Sequence, residues 1–182
     1  ALYVTAMNTG MRISELLGLQ WNKIDFLNNQ IEVSYQRNRH GIINRTKNGK
    51  TVYVPMNKAL RGVLSTLKQE ERSLDYVFMK KNGEMINPEH FSERVFKKAI
   101  TKAGVKVICF RNLRTSFAAN YCMNGGDLYA VSKILNHASA EFTAKKYAHL
   151  HPSFLKKAIE TVSFEADSPH LAHGQLKLIE SN

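Results

Sequence analysis

The stretch Leu135-Asn136-His137-Ala138-Ser139-Ala140-Glu141-Phe142-Thr143-Ala144-Lys145-Lys146-Tyr147-Ala148-His149-Leu150 carries the strongest chemical signal in the chain. His137 stands ten residues before Tyr147, with Leu135 ahead of the first and His149 behind the second. Ser139 is suited to cap a helix, with Phe142 in its first turn and Lys145 and Lys146 further along. Tyr147 then falls near the end of a short basic helix, where its hydroxyl could reach a phosphate. The bland alternative is a surface helix with an ordinary half-buried tyrosine.

Three other stretches bear on that choice. Thr9-Gly10-Met11-Arg12-Ile13-Ser14-Glu15-Leu16 places an arginine just after a helix break. Alone, Arg12 reads as a surface charge. Thr46-Lys47 precedes a turn at Asn48-Gly49, and Val54-Pro55 follows it. Lys47 there could be ordinary solvated turn charge, and Lys50 is a rival for any role it has. Phe110-Arg111-Asn112-Leu113-Arg114-Thr115-Ser116-Phe117-Ala118 is less easily dismissed. Arg114 adjoins apolar Leu113 and Phe117, and an unpaired charge beside a core face is costly. His137 could equally be a helix C-terminal cap. Tyr35, Tyr53, Tyr76, Tyr121 and Tyr129 sit in core-like patterns and read as packing.

The composition agrees with a polyanionic partner. Lys plus Arg number 26 against 15 acidic residues, giving +11 and a pI near 9.7. An excess of this size points to nucleic acid. A membrane partner is disfavoured, because no apolar run approaches a spanning length. The 182 residues, 43% hydrophobic, suffice for one sizeable domain or two small ones, with a real core. Cys109 and Cys122 lie in apolar patterns without metal-ligand spacing, so they read as buried free thiols of a cytosolic protein. Helical patterning is already under way at Ala1, so the chain reads as a fragment whose upstream part is not seen.

The elements that must position these residues are mostly helical. Residues 1–8 read as the end of an apolar helix, broken at Thr9-Gly10, and a second helix starts near Met11. Trp21, Ile24 and Phe26 anchor the loop that follows. Strand candidates lie at 30–36, 41–46 and 51–55, the last two joined by the hairpin signal Asn48-Gly49. Asn57 caps a helix to about Gln69, and 76–79 is a short extended piece. Asn87-Pro88 opens a helix with Phe91, Val95 and Ile100 on its buried face, ended by Gly104. An extended apolar run at 105–110 leads to a helix at 113–123. Asp127 caps another, then comes the helix bearing Tyr147, and Pro152 opens a last one. The order helices, small antiparallel sheet, helices predicts an α+β fold, mainly α, with a small three-stranded antiparallel sheet at one edge.

The four stretches together resemble the signature of one family, in order and in rough spacing. The first and third are similar to its two arginine boxes. The hairpin is similar to its β-hairpin lysine segment, and the last stretch to its His and nucleophilic Tyr segment. The chain thus resembles the catalytic domain of the tyrosine recombinase, or phage integrase, family over residues 1 to about 162. Any one box is a weak signal; four in order are a strong one.

The resemblance implies a chemistry. Tyr147 attacks the scissile phosphate to form a 3′-phosphotyrosine and release a 5′-hydroxyl, and a second DNA end reverses the step. Arg12 and Arg114 clamp the non-bridging oxygens with planar, permanently charged forks. Lys47 protonates the leaving 5′ oxygen. His137 hydrogen-bonds the phosphate or assists proton transfer, and Glu15 orients the active-site groups. No cofactor and no metal are required. The implied domain spans 1–164, with N-terminal DNA-binding modules outside this fragment. Residues 165–182 form a linker and a tail whose weak apolar stripe suits docking on a neighbouring subunit. The implied partner is double-stranded DNA, with self-association as a tetramer on it and room for accessory DNA-bending proteins. The implied setting is the cytoplasm of a bacterial cell or phage-infected host.

Three positions depart from the family pattern. The family usually has His, sometimes Lys, three residues before the second arginine, where this chain has Arg111. A His that often follows the second arginine is Thr115, and the residue before His137, commonly Gly, is Asn136. Arginine binds phosphate but does not exchange a proton near neutral pH. Arg111 is therefore expected to be a third cationic phosphate ligand and not a general base. The alternative is that it points away and pairs with a surface carboxylate. Two other functions compete with recombination. A type IB topoisomerase uses similar chemistry to relax DNA, but the compact box spacing favours a recombinase. A degenerate DNA-binding relative has only Arg111 and Thr115 in its support.

Overall fold

A computed structural model describes residues 1–43, 51–70, 75–150 and 159–160. The chain divides into two units, Ala1–His151 and Pro152–Asn182. Within the second, residues 159 and 160 are described, and both are helical. The hairpin turn with Lys47, the rest of the last expected helix and the 165–182 tail lie outside the described residues.

Helix α1 (Leu2–Thr9) ends at Gly10, whose φ of 64° is the left-handed conformation that a residue without Cβ adopts most readily. A Cβ on Gly10 would stand 2.5 Å from Leu135 Cδ2 and 2.6 Å from Phe117 Cδ1, so this glycine also permits close packing. Helix α2 (Ile13–Leu17) follows at once, and a 3-10 turn (Trp21–Lys23) leads to the sheet. Trp21 and Ile24 are buried and Phe26 packs against the same core, as the sequence predicts.

The three-stranded antiparallel sheet is present, in the order β1 (Ile24–Asp25), β2 (Gln30–Val33), β5 (Val52–Pro55). Its alternation is plain: Ile31 pairs with Val54 on the buried face, while Glu32 pairs with Tyr53 outside. Its membership differs from expectation. The run starting at residue 41 forms β4 (Gly41–Ile43), which pairs with β3 (Gln36–Asn38) in a separate two-stranded hairpin. The predicted 30–36 strand breaks after Val33, and its tail supplies β3.

Helix α3 (Lys58–Gln69) starts where Asn57 accepts a hydrogen bond from the Leu60 amide at 2.9 Å. Its Leu60 and Leu64 are fully buried. Helix α4 (Pro88–His90) runs through a π-helical turn, Phe91–Phe96, into α5 (Lys97–Lys102). That turn corrects the sequence reading of Val95, which is exposed. A π turn bonds i→i+5 and holds about one residue more than an α turn, which shifts the phase of the buried face. Phe91 is therefore followed inward by Phe96, and Val95 is rotated to solvent. Phe96 stacks edge-on against Phe110 at 5.1 Å, just before α6 (Arg111–Met123). The run at 105–110 is a loop that ends on buried Phe110: Val105 and Val107 are exposed, and so is Cys109, against expectation. Asn112 Oδ1 accepts from both the Cys109 amide and its thiol. Cys122 is buried. Tyr53 and Tyr129 are also exposed, although the sequence read them as packing; Lys133 Nζ sits 4.7 Å from the Tyr129 ring centre.

Helices α7 (Leu128–Ile134) and α8 (Ala140–Tyr147) pack on each other and on α6. Asp127 caps α7 through the Ala130 amide and Ser139 caps α8 through the Phe142 amide, both as predicted. A smaller core of Ala118, Cys122, Val131, Leu135 and Tyr147 fills the space between them. No helix among the described residues is long and apolar enough to cross a membrane.

Candidate active site

Arg12 precedes α2 in an extended conformation, with φ −70° and ψ 152°. Glu15, one turn on, accepts the Arg12 main-chain amide at 2.7 Å and its Nη1 at 2.6 Å. Glu15 is buried, only 4% exposed, and Oε2, the oxygen that accepts the Arg12 amide, lies 4.0 Å from Arg114 Nη1. One acidic side chain thus sits between two guanidiniums.

Arg114 projects from the first half of α6 and keeps 12% of its side chain exposed. Its Nη1 donates to the Gly10 carbonyl at 2.9 Å, and its Nη2 donates to the Leu135 carbonyl. Both carbonyls lie just beyond helices, α1 and α7, whose C-terminal ends carry partial negative charge. Burial, and then Arg12, pull the Arg114 pKa down to about 10, with Glu15 and the Tyr147 phenol opposing. It stays cationic at neutral pH. Arg111, the first residue of α6, is exposed and faces the same cavity. It makes no carboxylate ion pair among the described residues.

His137 is held by the turn after α7. Its amide donates to the Ser132 carbonyl at 3.0 Å and the Asn136 amide to the Lys133 carbonyl at 2.9 Å. This is a Schellman motif, and Asn136 takes the left-handed position at φ 48°. Asparagine tolerates that conformation better than most residues. The imidazole Nδ1 is 2.7 Å from Thr143 Oγ1, and Phe142 meets the ring edge-on at 5.3 Å. Burial, then the charges of Arg114, Arg12 and Lys146, push the His137 pKa down to about 4. The ring is neutral at physiological pH.

Arg12, Arg111, Arg114 and His137 line one cavity, with Cys109 and Phe142 at its wall. Three guanidiniums line it and Glu15 pairs with two of them, Arg12 and Arg114, which leaves an excess of positive charge fitted to a phosphate. Tyr147 is the last residue of α8. It is 3% exposed, packed in the smaller core, with Lys146 Nζ 5.4 Å from its ring centre. It lies outside the cavity lining, five residues after Phe142, which lines the cavity from the same helix. The sequence reading missed Thr143 and Phe142. For Thr143 a signal existed: four residues before Tyr147, it shares the buried face of α8.

The fold is that of an integrase. It superposes with a TM-score of 0.74 on the Tn1549 transposon integrase in complex with a circular intermediate DNA, at 23% identity, covering 88% of this chain and 57% of that one. The phage integrase family profile matches residues 1–153, and the chain belongs to that family. A tyrosine recombinase XerC-like protein of Caldanaerobacter subterraneus subsp. tengcongensis is 28% identical over 190 residues, covering 90% of this chain and 48% of its own length. Tyrosine recombinase XerA of Pyrococcus furiosus is 31% identical over 156 residues, covering 84% of this chain and 50% of its own. The chain spans about half the length of the curated relatives it matches.

Proposed function

We propose that this chain is the catalytic part of a site-specific DNA recombinase that integrates or excises a phage or mobile element. The observation that carries the reading is the convergence of Arg12, Arg111, Arg114 and His137 on one cavity, with Tyr147 on the helix whose Phe142 lines it. The family and the recombinase relatives support it over a topoisomerase that only relaxes DNA.

Tyr147 Oη attacks the scissile phosphorus, and the bond to the 5′ oxygen breaks. The phenol proton passes to water or to a substrate oxygen. Lys47 supplies a proton to the departing 5′ oxygen, leaving a 3′-phosphotyrosine and a free 5′-hydroxyl. The 5′-hydroxyl of a second strand attacks that ester and restores the phenol. The phosphoester is conserved throughout, so the exchange needs no nucleotide hydrolysis. Arg12, Arg111 and Arg114 bind the phosphate oxygens and favour the more highly charged transition state. His137 adds an uncharged hydrogen bond, and Glu15 holds Arg12 and Arg114.

Double-stranded DNA is the partner. Residues 1–164 form the catalytic domain, and 165–182 dock on a neighbouring copy in a tetramer on DNA, alongside accessory DNA-bending proteins in some reactions. The test uses nicked suicide duplexes selected from a randomised pool. The wild-type chain forms a covalent adduct. Tyr147→Phe binds the same duplexes and forms none; a normal adduct yield from that variant removes Tyr147 from the mechanism. Exchange between two sites, against relaxation of supercoils, separates the recombinase from the topoisomerase.

A further inference from the structure

Thr143 has no part in the scheme above, yet it makes the most direct side-chain contact to the His137 ring. Its hydroxyl lies 2.7 Å from Nδ1, and the residue is fully buried, so water does not compete for that bond. It stands one turn before Tyr147 on α8 and so ties the histidine to the helix that carries the nucleophile. A neutral imidazole has one N–H and one bare nitrogen, and the partner of one nitrogen decides the state of the other. A phosphate oxygen in the cavity can only accept. The useful tautomer therefore carries hydrogen on Nε2, which leaves Nδ1 in need of a donor.

We infer that Thr143 is a positioning residue: its hydroxyl donates to Nδ1 and holds His137 with Nε2–H turned to the phosphate among Arg12, Arg111 and Arg114. Phe142, edge-on to the ring at 5.3 Å, limits its tilting. The inference rests on the recombinase reading for the identity of the phosphate, but the tautomer can be measured without it.

The experiment compares Thr143→Val, which removes the hydroxyl at nearly constant shape, with Thr143→Ser, which keeps it. Capture of the suicide duplex should slow about tenfold to a hundredfold in Thr143→Val, the range seen when a partner orienting an imidazole is lost. Thr143→Ser should restore most of the rate, with duplex binding unchanged in both. Nitrogen-15 spectra of the wild-type chain, with inorganic phosphate as the probe, should report hydrogen on Nε2. Wild-type capture by Thr143→Val, or hydrogen on Nδ1 in the wild-type spectrum, overturns the inference. If Thr143→Val does not fold, the serine variant and the wild-type spectrum decide. A wild-type chain that captures no duplex refutes the recombinase reading, and the tautomer still judges Thr143.

Discussion

Glu15 and Arg12 are joined twice, once through the arginine amide at 2.7 Å and once through its Nη1 at 2.6 Å. The first bond satisfies a free amide at the start of α2, and the second balances a charge at the cavity wall. Glu15→Gln separates these roles, because its amide oxygen can still accept from the Arg12 main chain. The lost charge leaves two guanidiniums without their buried counter-ion, so stability should fall by about 1–3 kcal/mol. Urea unfolding measures this, and an unshifted midpoint would show that Glu15 is not a counter-charge.

Arg111 sits at the exposed start of α6, so its loss should leave stability within about 0.5 kcal/mol of wild type. Adduct formation by Arg111→Ala should fall about a hundredfold or more, as when one donor to a transition-state oxyanion is removed. Arg111→His should retain substantial cleavage. Wild-type cleavage by the alanine variant would sink the third-ligand role.

The depressed pKa of His137 links folding to pH with a definite sign. On acidification the unfolded chain takes up a proton near 6.5, whereas the folded ring resists until about 4. Across that window the unfolded state binds more protons, so stability rises with pH and falls on acidification. The contribution is complete above 6.5 and gone below about 4. Replacing His137 with Asn should flatten the decline in urea midpoint between about pH 7 and pH 5. An identical decline in both proteins would mean that His137 is not buried in its neutral form.

Binding of duplex DNA should weaken steeply with salt, since each neutralised phosphate adds a slope of about −0.9 in log K against log salt. Arg12→Ala and Arg111→Ala should each reduce that slope by about one. Filter binding across a salt series reads it directly. A slope unaltered by either change would separate these arginines from phosphate contact.

The features legible in the sequence are those set by local chemistry. Gly10, Asn57, Asp127 and Ser139 punctuate helices in the structure as their residue types predict. Those helix ends are what bring Arg12, Arg114 and His137 to one cavity. The features that were not legible depend on partners distant in the chain. Val95 fits a 3.6-residue period and is exposed because a π turn resets the phase after Phe91. The run at 41–43 reads as a strand, but nothing local says that it pairs with 36–38 and not with 52–55. Cys109 sits in an apolar string that the fold leaves on the surface, beside the cavity. The near-complete burial of Tyr147 follows from the packing of α6, α7 and α8, which no single stretch encodes.

The acceptors that hold Arg114 are main-chain carbonyls, those of Gly10 and Leu135. Every amino acid brings that same oxygen to its position. A codon change at 10 or 135 can displace an acceptor but never delete it. Glu15 has no such protection, since one substitution removes its carboxylate outright. The grip on this guanidinium is thereby buffered against genetic drift, while its charge balance hangs on a single codon.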